Sequence, residues 1–247
     1  MSFETLLIVA AAAFLFAGTV KGLVGLGLPT TIIGILAQFT DPRQAIALLL
    51  LPILVSNTWQ IYRGDMATKT FKKLWPFCLV MCVLIFITSQ FAAIISTQVL
   101  TISVGVVIVL FVLTNVFLKP LTIPDDHDKV YQIGFGAAAG IMGGLTSLWA
   151  PPIVMYLLSK RVSKDEFVAS VGILLMSGCI PLLGGYITAG LTTPTLLLYS
   201  LLMVIPTLAG FAIGEWARSF LEAEQFRKIL LGVFFLLGAN LIVNALI

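Results

Sequence analysis

The sequence predicts an all-α polytopic membrane protein made of two inverted-topology repeats of five segments, each with a helical hairpin broken by glycine and proline. Three observations predict it. The 247 residues are 60% hydrophobic and 10% charged, with a mean hydropathy of +1.11, a composition that suits lipid as solvent better than a soluble core. Apolar runs form eight long segments and two short ones. A glycine–proline cluster occurs twice, and the basic residues collect in particular loops.

The first long segment is 4–24. Glu4 stands where a secretory signal would carry positive charge, and the apolar run leads straight into a glycine stretch, so the segment is read as a retained helix. "KGLVGLGLPTT" (21–31) interrupts it, and a short run, 29–38, follows. Long segments at 42–62, 71–94 and 98–118 complete a first repeat, residues 1–120. A linker, 121–129, precedes the second repeat, 130–247, with long segments at 130–147, 164–188, 193–214 and 226–246 and a short run at 151–159. A span needs about 20 residues at about 1.5 Å each, and a run of about ten reaches half way.

The second cluster, "GAAAGIMGGLTSLWAPP" (136–152), repeats the first. Gly18, Gly22 and Gly25 match Gly136, Gly140 and Gly143 at an offset of 118, and Pro29 matches Pro151 at 122, which implies four inserted residues. Each cluster ends in proline, leads a short apolar run and precedes three long spans.

Charge orients the halves. The loops holding Arg63, Lys69, Lys72 and Lys73, then Lys119 and Lys129, then Lys160, Arg161 and Lys164, then Arg218, Arg227 and Lys228 contain twelve of the fourteen basic residues. The loops near 95–98 and 188–193 and both termini contain none, so the positive-inside rule puts the twelve in the cytoplasm and both termini outside. This requires each short run to fold back toward the side its preceding segment came from. Five segments per half then invert the second copy, an arrangement of secondary transporters that bind substrate where the breaks meet.

A helix broken inside the bilayer exposes backbone N–H groups, which is tolerable only where protein, water or a ligand satisfies them. Gly25 and Gly27 permit a tight reversal, and Pro29 suits the first turn of the next helix. Thr30 and Thr31 add hydroxyls beside the positive end of a helix dipole, which makes an anion site. Gly143, Gly144, Thr146, Ser147 and Pro151 offer the same chemistry in the second half. The spacings Gly18-x-x-x-Gly22 and Gly136-x-x-x-Gly140 are read as close helix packing.

Fifteen residues after Leu6, Lys21 lies about 22 Å into a core of about 30 Å, where it either snorkels to the cytoplasmic interface or pairs with an anion. Asn57, with Ser56 and Gln60, either lines the cavity or bonds between helices. Trp149 either gates the cavity or packs. No Asp or Glu sits inside a span to relay protons. His127, among Asp125, Asp126 and Asp128, reads as a solvated loop rather than a metal site. Cys78, Cys82 and Cys179 read as small buried hydrophobes, although Cys78 and Cys82 share a helix face. Scattered basic residues and a net charge of +3 argue against nucleic acid. "GLVGLG" lacks the strand context of a nucleotide loop. No nucleophile–base set marks an enzyme, and no cofactor is implied.

The stretches "GLVGLGLP" and "GIMGGLTSLWAPP", followed about a dozen residues later by "DPRQAIA" and "SKDEFVA", resemble the sulfite exporter TauE/SafE family of bacterial inner-membrane transporters over nearly the whole chain. Leu28 replaces a glycine common in that family, and "LTSLWA" separates the second glycines from their prolines. The resemblance implies a secondary transporter that exports sulfite, sulfoacetate or a related organosulfonate, with the bilayer and a small anion as its partners and a homo-oligomer compatible. The competing readings are an anion channel of the same fold and a membrane scaffold.

Overall fold

The computed structural model describes residues 3–62, 67–117, 123–160, 162–218, 220 and 223–247. Arg63, Lys119 and Arg161 of the basic loops lie outside the described residues. Among those described there are ten α-helices and no strand: α1 (Phe3–Val24), α2 (Leu28–Leu36), α3 (Pro42–Tyr62), α4 (Ala67–Phe91), α5 (Thr97–Phe117), α6 (Asp128–Thr146), α7 (Ala150–Ser159), α8 (Lys164–Thr188), α9 (Pro194–Ala217) and α10 (Ala223–Leu246). Their ends fall within four residues of those read from the sequence. Seven are long and apolar enough to cross a membrane. The predicted eighth span, 130–147, forms α6 but is not among the seven; five glycines and a polar first turn dilute its apolarity.

Local chemistry starts and stops the helices. Pro42 and Pro194 stand at helix starts, where a missing N–H is harmless. Ser163 caps α8 by accepting the Glu166 amide at 3.3 Å, and Thr193 caps α9 by accepting the Leu196 amide at 3.2 Å. Pro52, Pro76, Pro181 and Pro206 lie inside α3, α4, α8 and α9.

The helices form two compact units that cut across the sequence halves. Unit 1 comprises residues 1–53, 95–112 and 191–247; unit 2 comprises 54–94 and 113–190. In unit 1, α1 packs along α9 through interleaved glycines. A Cβ on Gly18 or Gly22 would strike the Thr207 or Phe211 carbonyl, and one on Gly210 or Gly214 the Leu15 or Thr19 carbonyl. In unit 2, α6 packs along α4 in the same way: a Cβ on Gly136 would lie 2.9 Å from the Phe77 oxygen and one on Gly140 3.0 Å from the Met81 oxygen. The outer four glycines of the two clusters are therefore packing positions. Close backbone approach is what small residues provide where lipid removes any hydrophobic drive between helices.

Unit 2 sorts its loops by charge. At one end Lys73 donates to Glu166 at 2.6 Å, Gln132 donates to the Lys73 carbonyl at 3.2 Å and to Asp128 at 2.9 Å, and Lys160 pairs with Asp128 at 3.3 Å. At the other end Gln90 donates to Thr188 at 3.0 Å and to the Gly185 carbonyl at 3.1 Å. Helix ends next to basic loops thus meet one another, and the approaches to the lysine-free loops meet each other.

Candidate functional site: two broken hairpins

The first break lies in unit 1. The Gly25 amide closes α1 on the Lys21 carbonyl at 2.7 Å, and Gly25 and Gly27 take φ of +83° and +98°, left-handed values that side chains resist. The Gly27 carbonyl accepts the Thr31 amide at 2.9 Å and the Thr31 hydroxyl at 2.8 Å. Thr31 therefore spends its proton on its own helix. Pro29 occupies the first turn of α2. Thr30 is buried, and Lys21 is only 2% exposed and interacts within the chain. Lys21 is thus covered by protein, on a stretch of α1 where Gly22 packs against the Glu215 amide near the end of α9. Sequence reasoning missed Arg218, whose Nη2 would lie 3.9 Å from a Cβ on Gly25. Its only signal was membership of a basic loop.

The second break lies in unit 2. Thr146 ends α6 and donates its hydroxyl to the Met142 carbonyl at 2.6 Å. Ser147 follows with φ +59°, its amide donating to the Gly143 carbonyl at 2.7 Å. Trp149 caps α7, which opens Ala150-Pro151-Pro152. Ser147 and Trp149 are buried, yet the Ser147 Oγ and Trp149 Nε1 have no hydrogen-bond partner. Buried polar atoms are nearly always paired, so two beside one helix break need a reason.

The Trp149 ring fills a slot between glycines. A Cβ on Gly143 would lie 3.0 Å from the Trp149 Cβ, and one on Gly178 of α8 would lie 3.0 Å from its Nε1. Gly178 stands ten residues before the end of α8, about 15 Å along the helix. The tip is shallower: a Cβ on Gly144 would lie 2.8 Å from the Ser89 amide, two residues before α4 ends. Gly144 is thus a close-approach position against α4. The indole reaches back toward mid-depth. Next to Gly178, Cys179 accepts a hydrogen bond from Asn57 Nδ2 at 3.3 Å.

Asp128 ties the hairpin's two ends together. Its carboxylate accepts from the Tyr156 hydroxyl at 2.9 Å and pairs with Lys160 at 3.3 Å, so α7 returns to the end where α6 began. Burial pushes the Asp128 carboxyl up, but hydrogen bonds from Gln132, Tyr156 and Lys160 and the lysine charge outweigh it and hold the group below its ordinary value.

Of the residues expected at a site, Lys21, Gly25, Gly27, Pro29, Thr30 and Thr31 lie together in unit 1; Asn57, Gly143, Gly144, Thr146, Ser147, Trp149 and Pro151 lie in unit 2. Unit 1 also holds an open cavity of about 520 Å³ that the sequence did not suggest, lined by Gln38, Asp41, Thr97, Gln98 and Asn244 among others. Asp41 is neutralised there by Arg43 at 2.9 Å. His127 is exposed, and among the described residues no group of three or more His, Cys, Asp or Glu is placed to hold a metal. Cys78 and Cys82 lean on Ser177, at 3.8 Å from its Oγ and 3.2 Å from its carbonyl oxygen respectively.

A family model described as "Sulfite exporter TauE/SafE" matches residues 10–241. No curated protein and no solved structure matches the chain.

Proposed function

The chain belongs to the sulfite exporter TauE/SafE family, and from that premise we propose that it is a secondary transporter carrying sulfite, sulfoacetate or a related organosulfonate out across a bacterial inner membrane. The observation that carries the reading is the pair of buried, unspent donors at the second break, Ser147 Oγ and Trp149 Nε1, beside a helix whose dipole favours anions. The first break, in unit 1, carries positive charge of its own, with Lys21 buried in α1 and Arg218 near Gly25. The substrate group is assigned to Lys21, Gly25, Gly27, Pro29, Thr30 and Thr31 at the first break and to Asn57, Gly143, Gly144, Thr146, Ser147, Trp149 and Pro151 at the second.

Two further observations support an inverted repeat of residues 1–120 and 130–247. Each half has a proline inside its third and fourth helices. The glycine-packed pairs, α1 with α9 and α6 with α4, are one pair with the halves exchanged. The sorting of loops in unit 2 supports cytoplasmic basic loops and periplasmic termini.

The test is radiolabelled sulfite flux in proteoliposomes of the purified chain. Saturable flux with counterflow is expected. Flux that rises linearly with concentration would mean a channel, and none above empty liposomes would overturn transport. A thermal-stabilisation screen with sulfite, sulfonates, thiosulfate and sulfate addresses the scaffold alternative, for which no anion would raise the melting temperature.

A further inference from the structure

We infer that the α6–α7 break holds the oxygens of a sulfite or sulfonate group with two neutral donors, Ser147 Oγ–H and Trp149 Nε1–H, and that Gly178 positions the indole; the inference rests on the transporter reading above. α7 is ten residues long and begins Ala150-Pro151-Pro152. Two amides of the first turn that would bind an anion are therefore missing. Side chains take their place. Thr146 donates back to Met142 and Thr31 to Gly27, which leaves only lone pairs on these hydroxyls, and lone pairs repel an anion. Ser147 is in the left-handed region; its amide still closes on Gly143, but its hydroxyl has no partner.

An indole N–H donates only, and a serine hydroxyl rotates to donate. Two residues apart, the two Cα atoms lie within about 7 Å. An oxyanion with several acceptor oxygens can meet both donors; a cation is rejected and a halide offers a single point. Gly178 holds the indole in place: a Cβ there would lie 2.9 Å from Cε2 and 3.0 Å from Nε1. Among the described basic residues of unit 2, Lys73 and Lys160 are tied to Glu166 and Asp128 at the other end from the break. Neutral donors at the break leave an anion free to depart, as transport requires.

The test is sulfite binding to the purified full chain, followed by calorimetry and by melting temperature, with methanesulfonate and chloride as comparisons. Trp149→Phe keeps the ring and removes the donor; Ser147→Gly removes the hydroxyl and suits the left-handed backbone. Each is expected to weaken sulfite and methanesulfonate at least tenfold, with chloride little changed. Without anion, Ser147→Gly should melt at or above the wild-type temperature, since it removes a buried unpaired donor from a left-handed position. Gly178→Ala should weaken sulfite in the wild type and add no further loss in Trp149→Phe. Unchanged sulfite affinity in both donor variants, or a lower melting temperature with affinity intact, would overturn the inference while leaving transport standing. A wild type that neither binds nor carries any sulfur anion would remove the transporter reading itself.

Discussion

Gly214→Ala is expected to loosen the α1–α9 pair on which the first break depends. A Cβ at Gly214 would lie 2.9 Å from the Gly22 Cα and 2.9 Å from the Leu23 amide, and would meet the Thr19 carbonyl more closely still. Carbon atoms settle at about 3.5–4.0 Å, so α9 must retreat by roughly 0.6–1 Å. A gap of that size forfeits about a quarter to a half of each facing dispersion contact. Backbone atoms cannot rotate aside, so the cost belongs in the upper part of the range of about 1–3 kcal/mol for overpacking. Alanine's helix preference returns about 0.5–1 kcal/mol. The net loss is about 1–2 kcal/mol, or about 2–8 °C for a chain of this size. Gly232 and Gly134 have nothing within 4 Å of an added Cβ, so Gly232→Ala and Gly134→Ala should melt at or slightly above wild type. Thermal melts of purified variants in detergent, read by intrinsic fluorescence, measure the difference. If Gly214→Ala melted with Gly232→Ala at or above wild type, the close-approach argument would be refuted.

Lys21→Met should lower the melting temperature, because a buried lysine's partners lose their cation, and should also weaken sulfite more than tenfold; unchanged affinity in folded protein would take Lys21 out of the site. The depressed Asp128 group contributes stability that is present above the ordinary aspartate value of about 3.9 and is lost as pH falls through its lower folded value. Asp128→Asn should therefore melt below wild type at pH 6, with the gap closing as pH falls below the ordinary aspartate value; a gap that stays constant through that fall would sink the assignment. Single cysteines placed near Lys72 and Lys160 should be reached by an impermeant thiol reagent from the same, cytoplasmic side. Labelling from opposite sides would break the topology.

The sequence by itself determined the number of segments, their ends to within four residues, and both breaks. Those properties are local: apolar length, a proline in a first turn, and glycines that tolerate φ of +83° and +98° at Gly25 and Gly27 act within a few residues of chain. It also identified Gly18, Gly22, Gly136 and Gly140 as packing positions from their spacing alone. It could not name their partners. Gly210 and Gly214 on α9 complete the α1 interface, and nothing in the spacing of either helix says that the two meet. Lipid-facing and protein-facing surfaces are both apolar, so periodicity does not mark an interface in a membrane protein as it does in water. For the same reason the sequence placed Gly143 and Gly144 alike, whereas the fold sets one beneath Trp149 and the other against α4. Thr31, Thr146 and Ser147 looked equivalent as hydroxyls beside a break. Tertiary structure and backbone conformation decided which is unspent, because a helical threonine reaches the carbonyl four residues back and a left-handed serine does not.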